Sequence, residues 1–152
     1  MGRTDPTREI LHQLLEDLED EADMGRRIER RQSFLIAADG RFLGRVAAPE
    51  HPESLLNPLG RYGGGQSETS ILNYQGRYGS TDSPLSARNP KATAPPLLFV
   101  AGEFWGLVSA NTVLGPRVIS PDRFWRTLLR DWKSFERGEF SDSGSIPLQV
   151  AP

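Results

Sequence analysis

The chain has 152 residues, a formal net charge of −2, 25% charged and 37% hydrophobic residues, and no cysteine. That length suits one domain with a modest core, and that charge offers no overall attraction to nucleic acid or to an anionic membrane. Disulfides, thiolate metal sites and cysteine nucleophiles are excluded; no apolar run is long enough for a transmembrane helix, and the charged start from Arg3 lacks a signal peptide's apolar core, so a cytoplasmic protein is expected.

Residues 5–31 are predicted to be one helix. Asp5 can cap it, Pro6 suits the first helical position, and Ile10, Leu11, Leu14, Leu15 and Leu18 form a narrow apolar stripe. An acidic run from Glu16 to Asp23 precedes a basic cluster from Arg26 to Arg31, an order that suits the helix dipole and makes Asp23–Arg27 an attractive pair. Residues 1–32 are therefore assigned to a peripheral helix that docks on a protein partner or on its own copy through Leu11, Leu14, Leu15 and Leu18.

Residues 34–48 and 97–110 match one another: an apolar run, a glycine turn and a second apolar run interrupted by Gly44 or Gly106. Each predicts a β-hairpin, with Asp39-Gly40 as a two-residue turn and the interior glycines marking bulges or close backbone approach. Between them lies a degenerate repeat with a 16-residue period. Ser54-Leu55-Leu56-Asn57-Pro58-Leu59-Gly60-Arg61-Tyr62-Gly63 returns as Ser70-Ile71-Leu72-Asn73-Tyr74-Gln75-Gly76-Arg77-Tyr78-Gly79. A decayed third copy starts at Ser86 and has Ala92 in place of the first glycine. Asn57 and Asn73 can each hold a turn by bonding the backbone two residues on, and Tyr62 and Tyr78 are expected to bury their rings.

A last helix is predicted over 121–137, capped by Ser120, opened by Pro121 and ended by Gly138. Phe124, Leu128 and Trp132 form its apolar face, widened by Trp125, Leu129 and Phe135. Residues 139–152 are expected to be irregular, with Ile146, Leu148 and Val150 alternating as a short edge strand would.

The D-G-x-F-L-G hairpin (Asp39, Gly40, Phe42, Leu43, Gly44) followed by the Asn/Gly/Tyr repeats resembles a widespread bacterial group of proteins without an established activity. That group carries tandem N-P-Y-G-x-Y-G-S-x-Y-S-x-x-S-I-x-N units. The likeness spans residues 34–111 and departs from it at Leu59, Gly64 and Tyr74, the last standing where the motif has proline. The resemblance implies architecture alone.

The chemistry-bearing residues are sparse. His12 and His51 lack a His-x-x-x-His or carboxylate cluster and are assigned structural or solvent-facing roles. Gly60-Arg61-Tyr62-Gly63-Gly64-Gly65 lacks the lysine and helix of a phosphate loop, and Asp39, Glu68 and Asp82 lack calcium-loop spacing. No catalytic, cofactor-binding or metal-binding residue is assigned, and no small-molecule substrate. Arg61, Arg77 and Arg88 recur near the repeat spacing beside Tyr62 and Tyr78, which supports an alternative as a single-stranded nucleic-acid contact. The expected fold is α+β: a small antiparallel sheet from two related hairpins, repeat loops over one side, and the C-terminal helix packed on it, all within 33–138. The expected function is a non-catalytic protein-interaction or assembly module.

Overall fold

A computed structural model describes residues 6–18 and 20–139. The two predicted hairpins are present: β1 (Phe34–Ile36) pairs with β2 (Phe42–Arg45), and β3 (Leu97–Val100) with β4 (Glu103–Val108). Their first strands pair antiparallel with each other, Phe34 opposite Phe99 and Leu35 opposite Leu98. A short β5 (Val118–Ile119) then adds parallel to β4, giving the order β2-β1-β3-β4-β5. The fold is α+β as expected, but the sheet is mixed rather than antiparallel.

The hairpins share one irregularity. Leu35 faces Gly44 and Leu98 faces Gly106, each beside a register shift. Both glycines are required by close approach. A Cβ on Gly44 would sit 2.6 Å from the Tyr62 Cβ, and one on Gly106 would sit 2.3 Å from the Arg117 carbonyl oxygen. The turns differ from expectation. The first loop holds three residues: Gly40 N–H donates to the Ala37 carbonyl (2.9 Å) and Ala37 N–H to the Arg41 carbonyl (2.8 Å), with Gly40 at φ 95°. The two-residue turn is in the second hairpin, at Ala101 (φ 49°) and Gly102 (φ 83°). Gly102 N–H donates to the Gln32 carbonyl at 2.9 Å, and a Cβ there would lie 2.6 Å from the Ile28 carbonyl oxygen. Docking on residues 28–32 thus selects this turn.

The predicted single N-terminal helix is two: α1 (Pro6–Asp17) and α2 (Glu21–Glu29). Asp20 breaks the run because its carboxylate accepts the Asp23 N–H at 2.9 Å, capping a new helix from inside the acidic stretch. Nor is this segment peripheral. Ile10, Leu14 and Met24 pack in one cluster with Phe34, Ile36, Leu97, Phe99 and Leu107, closing one face of the sheet. Across that face the Phe34 and Phe99 rings stack with centroids 4.9 Å apart. The predicted cap Asp5 and the possible edge strand at Ile146, Leu148 and Val150 lie outside the described residues.

The opposite face, bearing Leu35, Ala37, Leu98, Val100 and Val108, is covered by the repeats and by α3 (Pro121–Glu136). Ser120 caps α3 by accepting the Arg123 N–H at 3.2 Å. The helix is interrupted at Asp131 (φ −159°, ψ 75°), whose carboxylate accepts from the Ser134 N–H and hydroxyl. Ser33 ties the layers together: its hydroxyl donates to the Glu136 carbonyl and accepts the Ala101 N–H, both at 2.8 Å.

Each repeat unit is the same hydrogen-bonded rung. Ser54, Ser70 and Ser86 accept the N–H of Leu56, Leu72 and Arg88. Asn57, Asn73 and Asn89 accept the N–H of Leu59, Gln75 and Lys91, and donate from Nδ2 to the carbonyl six residues back, at His51, Ser67 and Ser83. The residues following the serines, Leu55, Ile71 and Ala87, point into the core. His51 is structural, since its Nδ1 accepts the Glu53 N–H at 3.0 Å, as the hydroxyls of Ser67 and Ser83 do for Thr69 and Leu85.

The two repeat tyrosines part company. Tyr78 is 1% exposed and donates its hydroxyl to Asp39 Oδ2 at 2.8 Å, tying the second repeat to the first hairpin turn. Burial, and then the bond to the Asp39 carboxylate, raise the Tyr78 phenol above its ordinary value of 10.0. A raised folded value means stability that is complete below 10.0 and lost as pH rises through the folded value. Tyr78→Phe should therefore lose about 1.5 kcal/mol at neutral pH, the worth of a hydrogen bond to a charged group, and denaturation at alkaline pH should show the gap to the parent closing.

Candidate functional site

The most exposed aromatic side chain of the repeats lies at a departure from the repeat itself. Where copies one and three have Pro58 and Pro90, copy two has Tyr74, 60% exposed. Where copies one and two present Leu56 and Leu72 from the serine-held rung, copy three presents Arg88. Stacking of the rungs brings these two departures together, with the Arg88 guanidinium 4.7 Å from the Tyr74 ring centroid. Arg88 also reaches Asp122 at 3.5 Å, in the first turn of α3.

These residues line a groove of about 290 Å³ between the second and third repeats and α3, together with Ile71, Leu72, Pro121, Trp125 and Arg126. Leu129, one turn on from Trp125, is 63% exposed. Trp125 itself is half-buried against the core, so its ring is anchored while part of it stays open to solvent. The groove therefore has an apolar floor and arginines on two sides.

A second cleft, of about 370 Å³, lies among α2, the first hairpin and the first repeat, lined among others by Arg27, Phe42, Arg61, Tyr62 and Thr69. The Phe42 and Tyr62 rings meet edge to face at 5.0 Å. Arg27, one of the charged residues lining it, is engaged by its own chain. It bonds Asp23 (2.9 Å), Gln32 (3.0 Å) and both carboxylate oxygens of Glu53 (3.0 and 2.9 Å), and stacks 3.7 Å above the Phe42 ring. Burial opposes the Arg27 charge, but the bonds to Glu53 and Asp23 outweigh it and raise its pKa; the bond from Arg27 in turn holds the Glu53 carboxyl below its ordinary value. Those charges brace the fold, joining the second helix to the first hairpin and to the Glu53 loop.

The four predicted docking leucines do not share an open surface. Leu14 is fully buried against the sheet, Leu11 and Leu18 are half-buried beside it, and Leu15 alone points outward, 52% exposed. The three arginines of the nucleic-acid alternative are likewise dispersed. Arg61 lies by the cleft over Tyr62, Arg77 pairs with Asp39 at 3.6 Å, and Arg88 sits in the groove. Sequence reasoning placed Trp125 and Leu129 on the apolar face of the last helix and did not single out Tyr74, Arg126 or Leu129 as site residues. The signal that could have found Tyr74 was its place where copies one and three have proline, while Arg126 and Leu129, on the last helix, carried no such signal. Among the described residues, no cluster of three or more His, Asp or Glu side chains could hold a metal ion, and no helix is long and apolar enough to cross a membrane. No protein-family model, no curated protein and no solved structure matches the chain.

Proposed function

We propose that this chain is a non-catalytic protein-interaction module that recognises its partner through the groove between the repeats and α3. The observation that carries this is the convergence of Tyr74 and Arg88, two of the departures from the repeat, on one concavity lined by Trp125, one helical turn from the exposed Leu129. A half-buried tryptophan beside tyrosine and arginine is the residue set that concentrates binding energy at interfaces. The α1 stripe, which the sequence offered for the same role, is mostly spent on the sheet.

The test compares full-length parent protein with Leu129→Asp and Leu15→Asp as baits in extract of the producing organism. All three should fold alike, since both leucines are exposed. A specific partner retained by the parent and by Leu15→Asp should fall at least about tenfold with Leu129→Asp, as for a charge buried at an interface centre. Loss with Leu15→Asp alone would move recognition to α1, and no retained partner on any bait would defeat the interaction reading.

A further inference from the structure

Resting on that reading, we infer that the groove's partner is an acidic segment carrying a large apolar or aromatic anchor. Two rows run side by side along the middle of α3: Trp125 and Leu129, apolar, and Arg126 and Arg130, basic, each pair one helical turn apart. Arg126 is exposed and makes no hydrogen bond or ion pair among the described residues. Across the groove the half-buried Arg88 pairs with Asp122 at 3.5 Å, and because the Asp122 side chain is 74% exposed and solvent screens it, a carboxylate placed inside the groove can displace it. An anchor side chain between Leu72, Tyr74 and Trp125 would thus bring flanking carboxylates to Arg88 on one side and Arg126 on the other.

The surrounding charge sharpens the choice. The chain as a whole is net −2, so this basic strip is a local feature that steers by position and not a general attraction to anions. A nucleic-acid backbone needs a continuous basic track, and Asp122 stands at the groove edge, while Arg61 and Arg77 lie elsewhere. A peptide of mixed acidic and apolar residues satisfies both rows.

Fluorescence anisotropy on the full chain tests this with three labelled probes. The first is a short peptide with Phe and Leu one helical turn apart, flanked by glutamates; the second replaces every glutamate by glutamine; the third is single-stranded oligothymidylate. The acidic peptide should bind about tenfold more tightly than its glutamine twin, lose affinity as salt rises, and lose about tenfold with Arg126→Glu, while the twin is unaffected by that substitution. Circular dichroism confirms that the variant folds. Equal binding of both peptides would overturn the acidic partner while leaving the groove as a docking site. Oligothymidylate binding that competes with the peptide, failure of the acidic peptide to bind, or self-association abolished by Leu15→Asp would each overturn it in favour of another occupant.

Discussion

Gly79→Ala is expected to destabilise the protein by about 3 kcal/mol, the upper range for forcing a methyl into a packed site, and to lower the melting temperature by about 6–12 °C for a chain of this size. The cause is steric and local. A Cβ on Gly79 would lie 2.3 Å from the Asn73 carbonyl oxygen and 2.6 Å from that of Ile71. The obstacles are backbone atoms of the rung, held in turn by the Asn73 side chain, so nothing flexible can move aside. Gly63 is its counterpart one repeat earlier, 2.2 Å from the Asn57 carbonyl oxygen, and Gly63→Ala should cost a similar amount. Gly65→Ala is the control: its nearest neighbour is 3.9 Å away, and thermal denaturation should show little change. If all three alanines behave alike, the glycines serve chain flexibility and the rungs are not packed as described. The rung that Gly79 abuts also carries Tyr74, so a surviving Gly79→Ala protein should bind a groove partner less well than its residual stability alone would suggest.

Much of this architecture was legible because short-range chemistry determines it. The Asn turns form as expected, since an asparagine side chain needs only its own backbone two residues on, and the Ser120 cap and Pro121 start of α3 are equally local. The hairpins were legible from their glycines, but not the choice of turn. Asp39-Gly40 carries the stronger two-residue signal, yet the two-residue turn formed at Ala101-Gly102, where the end of the α2 segment presses on the backbone. The same limit applies to α1. Its stripe was visible, but periodicity says only that a helix face is covered and not whether the cover belongs to the same chain. Within the acidic run Asp20 looks like its neighbours, and only the bond to Asp23 N–H reveals it as a cap. Tyr62 and Tyr78 occupy one motif position and diverge because Asp39 is within reach of only the second hydroxyl, while the first ring lies against Phe42. The groove was the least visible feature, being made of departures that acquire meaning only when the rungs stack.

Arg27→Met should cost about 2–3 kcal/mol, less than the loss expected for a fully buried ion pair because Asp23 and Glu53 each keep about a third of their side-chain exposure. Methionine keeps much of the apolar stem while removing the guanidinium that joins α2, the Phe42 ring and the Glu53 loop. Arg27→Lys should recover only part of the loss, since a single ammonium cannot engage both Glu53 oxygens and lie flat over the ring. The pH dependence separates the ion pair from packing. Glu53 is held below its ordinary value of 4.5, so its contribution is complete above 4.5 and is lost as pH falls through the lowered folded value. Chemical denaturation of parent and Arg27→Met should therefore show a gap that is constant near neutrality and narrows below 4.5. A gap unchanged into strong acid would assign the effect to stacking on Phe42 instead. Because Arg27 lies in the cleft on the α2 side and not in the α3 groove, this variant, held below its melting point, should still bind a groove partner. Gly79→Ala should weaken both folding and recognition, and that contrast between the two variants is what a rigid scaffold presenting one separate docking face requires.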